Sequence, residues 1–182
     1  MIRPWKTIDS KISADFRIFQ VNTLRKLSPR TGAAHDAFVI NCADWVNVIA
    51  VTSAEQLVLI EQFRHGTNTV ELEIPGGMID PTDKSPVDAG VRELREETGY
   101  EGENPQLIGS VSPNPAIMSN TCHTVLVKNC RLVHPVEWDH GEDLETRLVP
   151  ISELRQLVAS GKIRHSLVVV ALYYFDLLRS GK

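Results

Sequence analysis

IPGGMIDPTDKSPVDAGVRELREETGY, residues 74 to 100, is the stretch on which the reading of this chain turns. Ser85 is a good helix N-cap, Pro86 suits a first helical position, Asp88 falls in a first turn, and Gly99 stands where a left-handed C-terminal residue is wanted. A helix over 86–98 is therefore specified at both ends. At about 100° per residue, Val87, Val91, Leu94 and Thr98 form one narrow stripe, expected to be the buried face. Glu93 and Glu97 are four apart and stack on another face with Glu96 beside them. Three carboxylates in under two turns repel one another unless a cation offsets them, and Mg²⁺ prefers carboxylate oxygens and bridges to phosphates. Taken alone, such a cluster reads as a solvated acidic face. The glycines of PGG (75–77) let a turn pass close to a metal or a phosphate.

Outward from this segment the period changes. Short apolar runs bounded by turn residues predict strands over 16–24, 37–41, 46–52, 56–63 and 69–74 before the helix, with the pair between 18 and 41 forming a hairpin. Strands follow over 106–111 and 124–127, then a polar loop over 129–142, a strand over 145–150, and helices over 152–159 and 166–178. Strands and helices do not alternate strictly, so the fold class is α+β, a mixed sheet with helices on its faces. With 42% hydrophobic and 23% charged residues in 182, this is one folded domain or a domain with a modest N-terminal addition. A net charge of −4 argues against nucleic acid. Three cysteines without CxxC spacing argue against a disulfide framework or zinc, and fit a reducing cytoplasm. No apolar run is long enough to cross a membrane.

The run Arg-Glu-Leu-Arg-Glu-Glu-Thr-Gly-Tyr after a Gly-Gly turn resembles the Nudix box, and IEQFRHG (60–66) with VELEIPGG (70–77) resembles the ADP-ribose and nucleoside diphosphate sugar pyrophosphatase branch of the Nudix hydrolases. The resemblance covers most of the chain from about Phe16. It implies a Nudix fold, a mixed sheet between helices (α/β/α) with an N-terminal antiparallel segment, divided as 1–42, which is dimer-forming, and 43–182. It also implies hydrolysis of a nucleoside diphosphate sugar such as ADP-ribose or GDP-mannose to a nucleoside monophosphate and a sugar phosphate. Two or three Mg²⁺ ions are implied, with Mn²⁺ as the alternative. Glu93, Glu96, Glu97 and the Gly76 carbonyl are the implied ligands, with Arg92 orienting the glutamates. Arg64 is implied to hold phosphate and Glu73 to touch substrate, while Trp5 and Phe38 are candidates to sandwich the base and Pro115 matches a proline after the box.

GEDLETRLVPISEL (141–154) resembles the loop and strand that carry the general base, which puts Glu142 at that position with Glu145 as its competitor. The implied assembly is a homodimer with exchanged N-terminal strands. One departure stands out: fourteen residues separate Gly77 from Arg92 where the box has thirteen, so its early glutamate falls on Asp83 or Lys84 and the early carboxylate's role is left open. Other readings are a Nudix hydrolase of a nucleoside triphosphate or dinucleoside polyphosphate, and a non-catalytic module that binds a nucleotide sugar.

Overall fold

The structure is a computed structural model that describes residues 1–138 and 140–181. It divides into two compact units, one of residues 1–44 with 112–121 and the other of residues 45–111 with 122–182.

In the first unit, β1 (Lys6–Asp15), β2 (Phe19–Leu27) and β3 (Ala34–Cys42) form an antiparallel sheet in that order. The expected hairpin is present as β2 and β3. β1 had no counterpart in the sequence reading, because KTIDSKISAD has too little apolar content to announce a strand; its backbone is satisfied by pairing with β2. The strand expected from 16 begins at Phe19 because Arg17 takes a positive φ of 72° and the Phe16 N–H donates to the Phe19 carbonyl, making 16–18 a turn.

The second unit contains β4 (Trp45–Thr52), β5 (Gln56–Arg64), β6 (Thr69–Glu73), β7 (Gly76–Met78), α1 (Pro86–Thr98), β8 (Tyr100–Val111), β9 (Cys122–Leu132), β10 (Leu144–Pro150), a 3-10 turn (Ile151–Glu153), α2 (Leu154–Ala159) and α3 (Ser166–Arg179). Its sheet runs β10-β5-β4-β9-β8, with β6 on β5 and β7 on β4; β4 and β9 are parallel and the other pairs antiparallel.

Alternation along β4 and β9 sends residues to two cores. Val46, Val48, Ala50, Val125 and Val127 pack with Ala89 and Leu94 of α1, while Ile49, Val51 and Leu126 pack with Val168, Ala171, Leu172 and Phe175 of α3. Helices therefore cover both faces, as the α+β reading expected. β9 continues to Leu132, into the stretch expected as loop, because Arg131 lies opposite Glu101 of β8 and pairs with it. Asp139, inside that expected loop, lies outside the described residues. β8 starts at Tyr100 and absorbs the breaking residues Gly102 and Pro105 through shifts of register.

Candidate active site

The helix that opened the sequence reading forms over the expected residues. The Ser85 hydroxyl accepts the Asp88 N–H at 3.1 Å, and Gly99, left-handed at φ 72°, returns its N–H to the Arg95 carbonyl. Of the expected stripe, Leu94 and Thr98 are buried and Val87 packs against the core, but the buried face extends further round than expected. Val91 is exposed, whereas Glu93 and Glu97 are buried together with Ala89, Gly90, Leu94 and Thr98. The cause is β7. A Cβ on Gly77 would stand 2.5 Å from Glu93 Oε1, so two consecutive glycines open the space into which the carboxylates turn. The Gly76 N–H donates to Glu97 Oε2 at 2.9 Å.

Burial of charge dominates the electrostatics. Desolvation pushes Glu93 up to about 7, with Arg92 pulling it back and Glu96 and Glu142 adding to the rise. Burial likewise raises Glu97 well above the ordinary carboxylate range, against the Gly76 N–H and with the help of Glu93 and Glu142. The Glu142 carboxylate is thus within electrostatic reach of both glutamates and of Arg64. Glu145 lies at the start of β10, opposite Glu61, and is bonded to Arg147 at 2.9 Å.

Arg92 ties the cluster together. Its Nη1 donates to Glu93 Oε1 at 2.9 Å and Glu96 Oε2 at 3.0 Å, and its Nη2 to the Met78 carbonyl at 3.1 Å. The remaining edge answers the question of the early carboxylate: Asp83 receives Arg92 Nε at 3.1 Å and Nη2 at 2.9 Å, a bidentate pair that holds the Asp83 carboxyl below its usual range. Asp83 is positioned by its own loop, where its N–H donates to the Asp80 carbonyl and its Oδ2 accepts the Asp80 N–H. The added residue lengthens that loop, and a side chain shorter than glutamate reaches the guanidinium.

Among the described residues, no three His, Cys, Asp or Glu side chains are gathered around one point in a ready-made metal cage. The donor set nonetheless fits a hard divalent ion. It consists of carboxylate oxygens beside a glycine backbone, Glu93 and Glu97 being raised chiefly by burial and further by neighbouring carboxylates, and a bound cation would offset the charge that burial disfavours.

Next to β7 is a cavity of about 630 Å³ lined by Arg64, Glu73, Gly76 and Gly77 among others. Arg64 gives Nε and Nη2 to the two oxygens of the buried Glu73, both at 2.9 Å. These two residues, expected to contact substrate separately, hold each other. The sequence reading missed Trp45, Arg164 and His165, which line the same cavity. It also missed Trp138, whose indole N–H donates to the Glu97 carbonyl at 2.9 Å and fastens the end of α1 to the segment before Glu142. No spacing pattern marks these residues; a tryptophan opening a strand and an Arg-His pair before a helix were the available signals. The remaining candidates belong to the first unit: Trp5 packs edge-on against His35, and Phe38 on β3 and Pro115 are exposed.

Comparison with known proteins settles the family, since the NUDIX domain matches residues 44–169. The chain belongs to the Nudix family. It is 34% identical over 164 residues to the mouse (Mus musculus) ADP-sugar pyrophosphatase, covering 84% of this chain and 70% of that one. It is 24% identical over 177 residues to the ADP-ribose pyrophosphatase of Bacillus subtilis, covering 94% and 95%. A crystal structure of an ADP compounds hydrolase has the same fold, with a TM-score of 0.87 at 21% identity over 100% of this chain and 97% of the other. The Nudix box of this chain is the segment from Gly77 to Tyr100, and Asp83 stands within it as the carboxylate that grips Arg92.

Proposed function

We propose that this Nudix pyrophosphatase hydrolyses the diphosphate bond of nucleoside diphosphate sugars, ADP-ribose and other ADP-sugars foremost, to a nucleoside monophosphate and a sugar phosphate. The observation that carries the reading is the adjacency of a buried, mutually repelling carboxylate cluster and an arginine-bearing cavity across the Gly76–Met78 strand. The names of the mouse and Bacillus subtilis relatives point to the same substrate class.

Glu93, Glu96, Glu97 and the Gly76 carbonyl would hold Mg²⁺, or Mn²⁺ in its place, two or three ions in all, with Arg92 and Asp83 positioning the glutamates. Bound there, the metal supplies charge neutralisation at the phosphate oxygens and a lowered pKa for the attacking water. Arg64 Nη1, which makes no hydrogen bond to the described residues, grips a phosphate oxygen, and Glu73 keeps the guanidinium aimed. Glu142 takes the proton of the water as it attacks phosphorus; its electrostatic reach to Glu93 and Glu97 supports it over Glu145, which Arg147 engages.

Residues 1–42 serve dimerisation in this reading, with Trp5 and Phe38 available to stack on the base and Pro115 shaping the loop after β8. A three-stranded sheet that exposes Ile12 and Phe38, with Phe16 and Ile18 exposed in its β1–β2 turn, needs covering, which supports a homodimer. The free cysteines Cys42, Cys122 and Cys130 suit a cytoplasmic setting, and none of the described helices is long and apolar enough to cross a membrane.

The test is purified protein with Mg²⁺ against ADP-ribose, ADP-glucose, GDP-mannose, ATP and diadenosine polyphosphates. Release of a monophosphate from the sugar compounds is expected. Preferred turnover of ATP or a dinucleoside polyphosphate would reject the substrate class, and tight binding of ADP-ribose without any turnover would reject the enzyme reading.

A further inference from the structure

One wall of the cavity takes no part in the chemistry just described. It is made by Trp45 at the start of β4 and by Arg164 and His165 immediately before α3. Glu71 and Glu73 are two residues apart on β6, so their side chains share one side of the strand, and each holds an arginine. Arg164 binds Glu71 through Nε and Nη2, as Arg64 binds Glu73, and neither guanidinium uses Nη1 in any hydrogen bond to the described residues.

The two carboxylates differ in what they have left to offer. Glu71 Oε1 also accepts the Thr67 and Thr69 hydroxyls and is filled, while its Oε2 is held by Arg164 Nε. Among the described residues the Glu73 carboxylate has only Arg64 as a hydrogen-bond partner, and His165 Nδ1, itself without a hydrogen bond to them, stands 3.7 Å from its Oε2, beyond hydrogen-bond length.

This wall carries charges that cancel in pairs. At Arg164, which takes no part in holding phosphate, an anion would meet Glu71 as closely as the guanidinium that Glu71 holds. A neutral polyol meets no such conflict, because its hydroxyls donate to carboxylate lone pairs and accept from guanidinium N–H groups at once. The buried His165 Nδ1, without a partner among the described residues and 3.7 Å from Glu73 Oε2, leaves hydrogen-bonding capacity beside that carboxylate for a hydroxyl. An indole at the same cavity offers a flat apolar surface to the C–H face of a sugar ring.

We infer that this wall is the subsite for the sugar half of the substrate, with Trp45 as the stacking platform and Glu73, Arg164 and His165 reading the hydroxyls. The inference rests on the nucleoside diphosphate sugar reading above, and adds which residues recognise the sugar.

The experiment uses full-length protein carrying Glu142→Gln to slow turnover, with Mg²⁺, and measures by calorimetry the affinity for ADP-ribose and for the β-methyl ester of ADP, which keeps the diphosphate and lacks the sugar. ADP-ribose is expected to bind at least tenfold more tightly. Trp45→Ala and His165→Ala are each expected to shrink that ratio below threefold, with Trp45→Phe restoring part of it. Circular dichroism checks that the fold survives.

Equal affinity for the two ligands, failure of both to bind, or a ratio that survives both alanine variants would overturn the inference. Turnover by the unmodified enzyme is scored separately. A protein that hydrolyses no sugar nucleotide but keeps the sugar-dependent ratio defeats the proposed function and leaves the subsite standing.

Discussion

Replacing Glu93 by Gln should make the metal-free protein more stable and the enzyme useless. Burial raises the Glu93 carboxyl from 4.5 to about 7, so the folded chain holds this proton more tightly than the unfolded chain. The penalty is therefore absent below pH 4.5, where the group is protonated in both states, grows between 4.5 and 7, and is complete above 7. At about 1.4 kcal/mol per pH unit of displacement, the full penalty is about 3 kcal/mol. Glutamine keeps the shape and a carbonyl oxygen for Arg92 Nη1 while removing the buried charge.

For a chain of this length about 3 kcal/mol corresponds to a rise in Tm of roughly 6–12 °C. The assay is thermal unfolding in EDTA at pH 5, 6, 7 and 8, read by circular dichroism. Glu93→Gln should exceed the wild type at pH 8 and approach it at pH 5. Saturating Mg²⁺ should then raise the wild type and leave the variant unmoved. A variant no more stable than wild type at pH 8, or a gap independent of pH, would refute the account of Glu93 as a buried charge awaiting a cation.

Four further outcomes follow from the same geometry. Glu142→Gln should lower kcat by roughly 10²–10⁴-fold, whereas Glu145→Gln should lose only the Arg147 pairing and change kcat by less than about tenfold; the reverse order in a steady-state assay would move the base to Glu145. Asp83→Ala frees one edge of Arg92 and should weaken Mg²⁺ activation by roughly 10–100-fold in a metal titration, with Asp83→Asn recovering part; an unchanged titration would remove Asp83 from the site. Gly77→Ala places a methyl 2.5 Å from Glu93 Oε1 and should abolish Mg²⁺ binding in calorimetry while the chain stays folded. Arg164 holds the Glu71 carboxyl down at about 2, so this pair stabilises the fold above the ordinary carboxylate range and the benefit is lost as pH falls toward 2; Glu71→Gln should be less stable than wild type at pH 7 and equal to it near pH 2 in chemical denaturation.

Much of this protein was readable in its local patterns. The caps at Ser85 and Gly99 bound α1 without help from the rest of the chain, because capping involves only residues within a turn. Apolar runs found β4, β5, β6 and α3 within a residue at each end, and the resemblance in RELREETGY and QFR anticipated the family.

Three things depended on residues distant in sequence. The extent of the buried side of α1 was only partly legible: Leu94 and Thr98 are buried as expected, but periodicity weighs Val91 as core and Glu93 as surface, whereas contact with the Gly76–Gly77 strand reverses those two. The role of Asp83 was undecidable from spacing, since one added residue shifts every count, while a loop can fold that residue away and still deliver a carboxylate to Arg92. Arg164 and His165 reach the cavity only because α3 packs against the sheet that carries β6, nearly a hundred residues earlier. Local rules decide where elements begin and end; which side chains meet between elements depends on packing, and so do the charges that burial leaves in need of a partner.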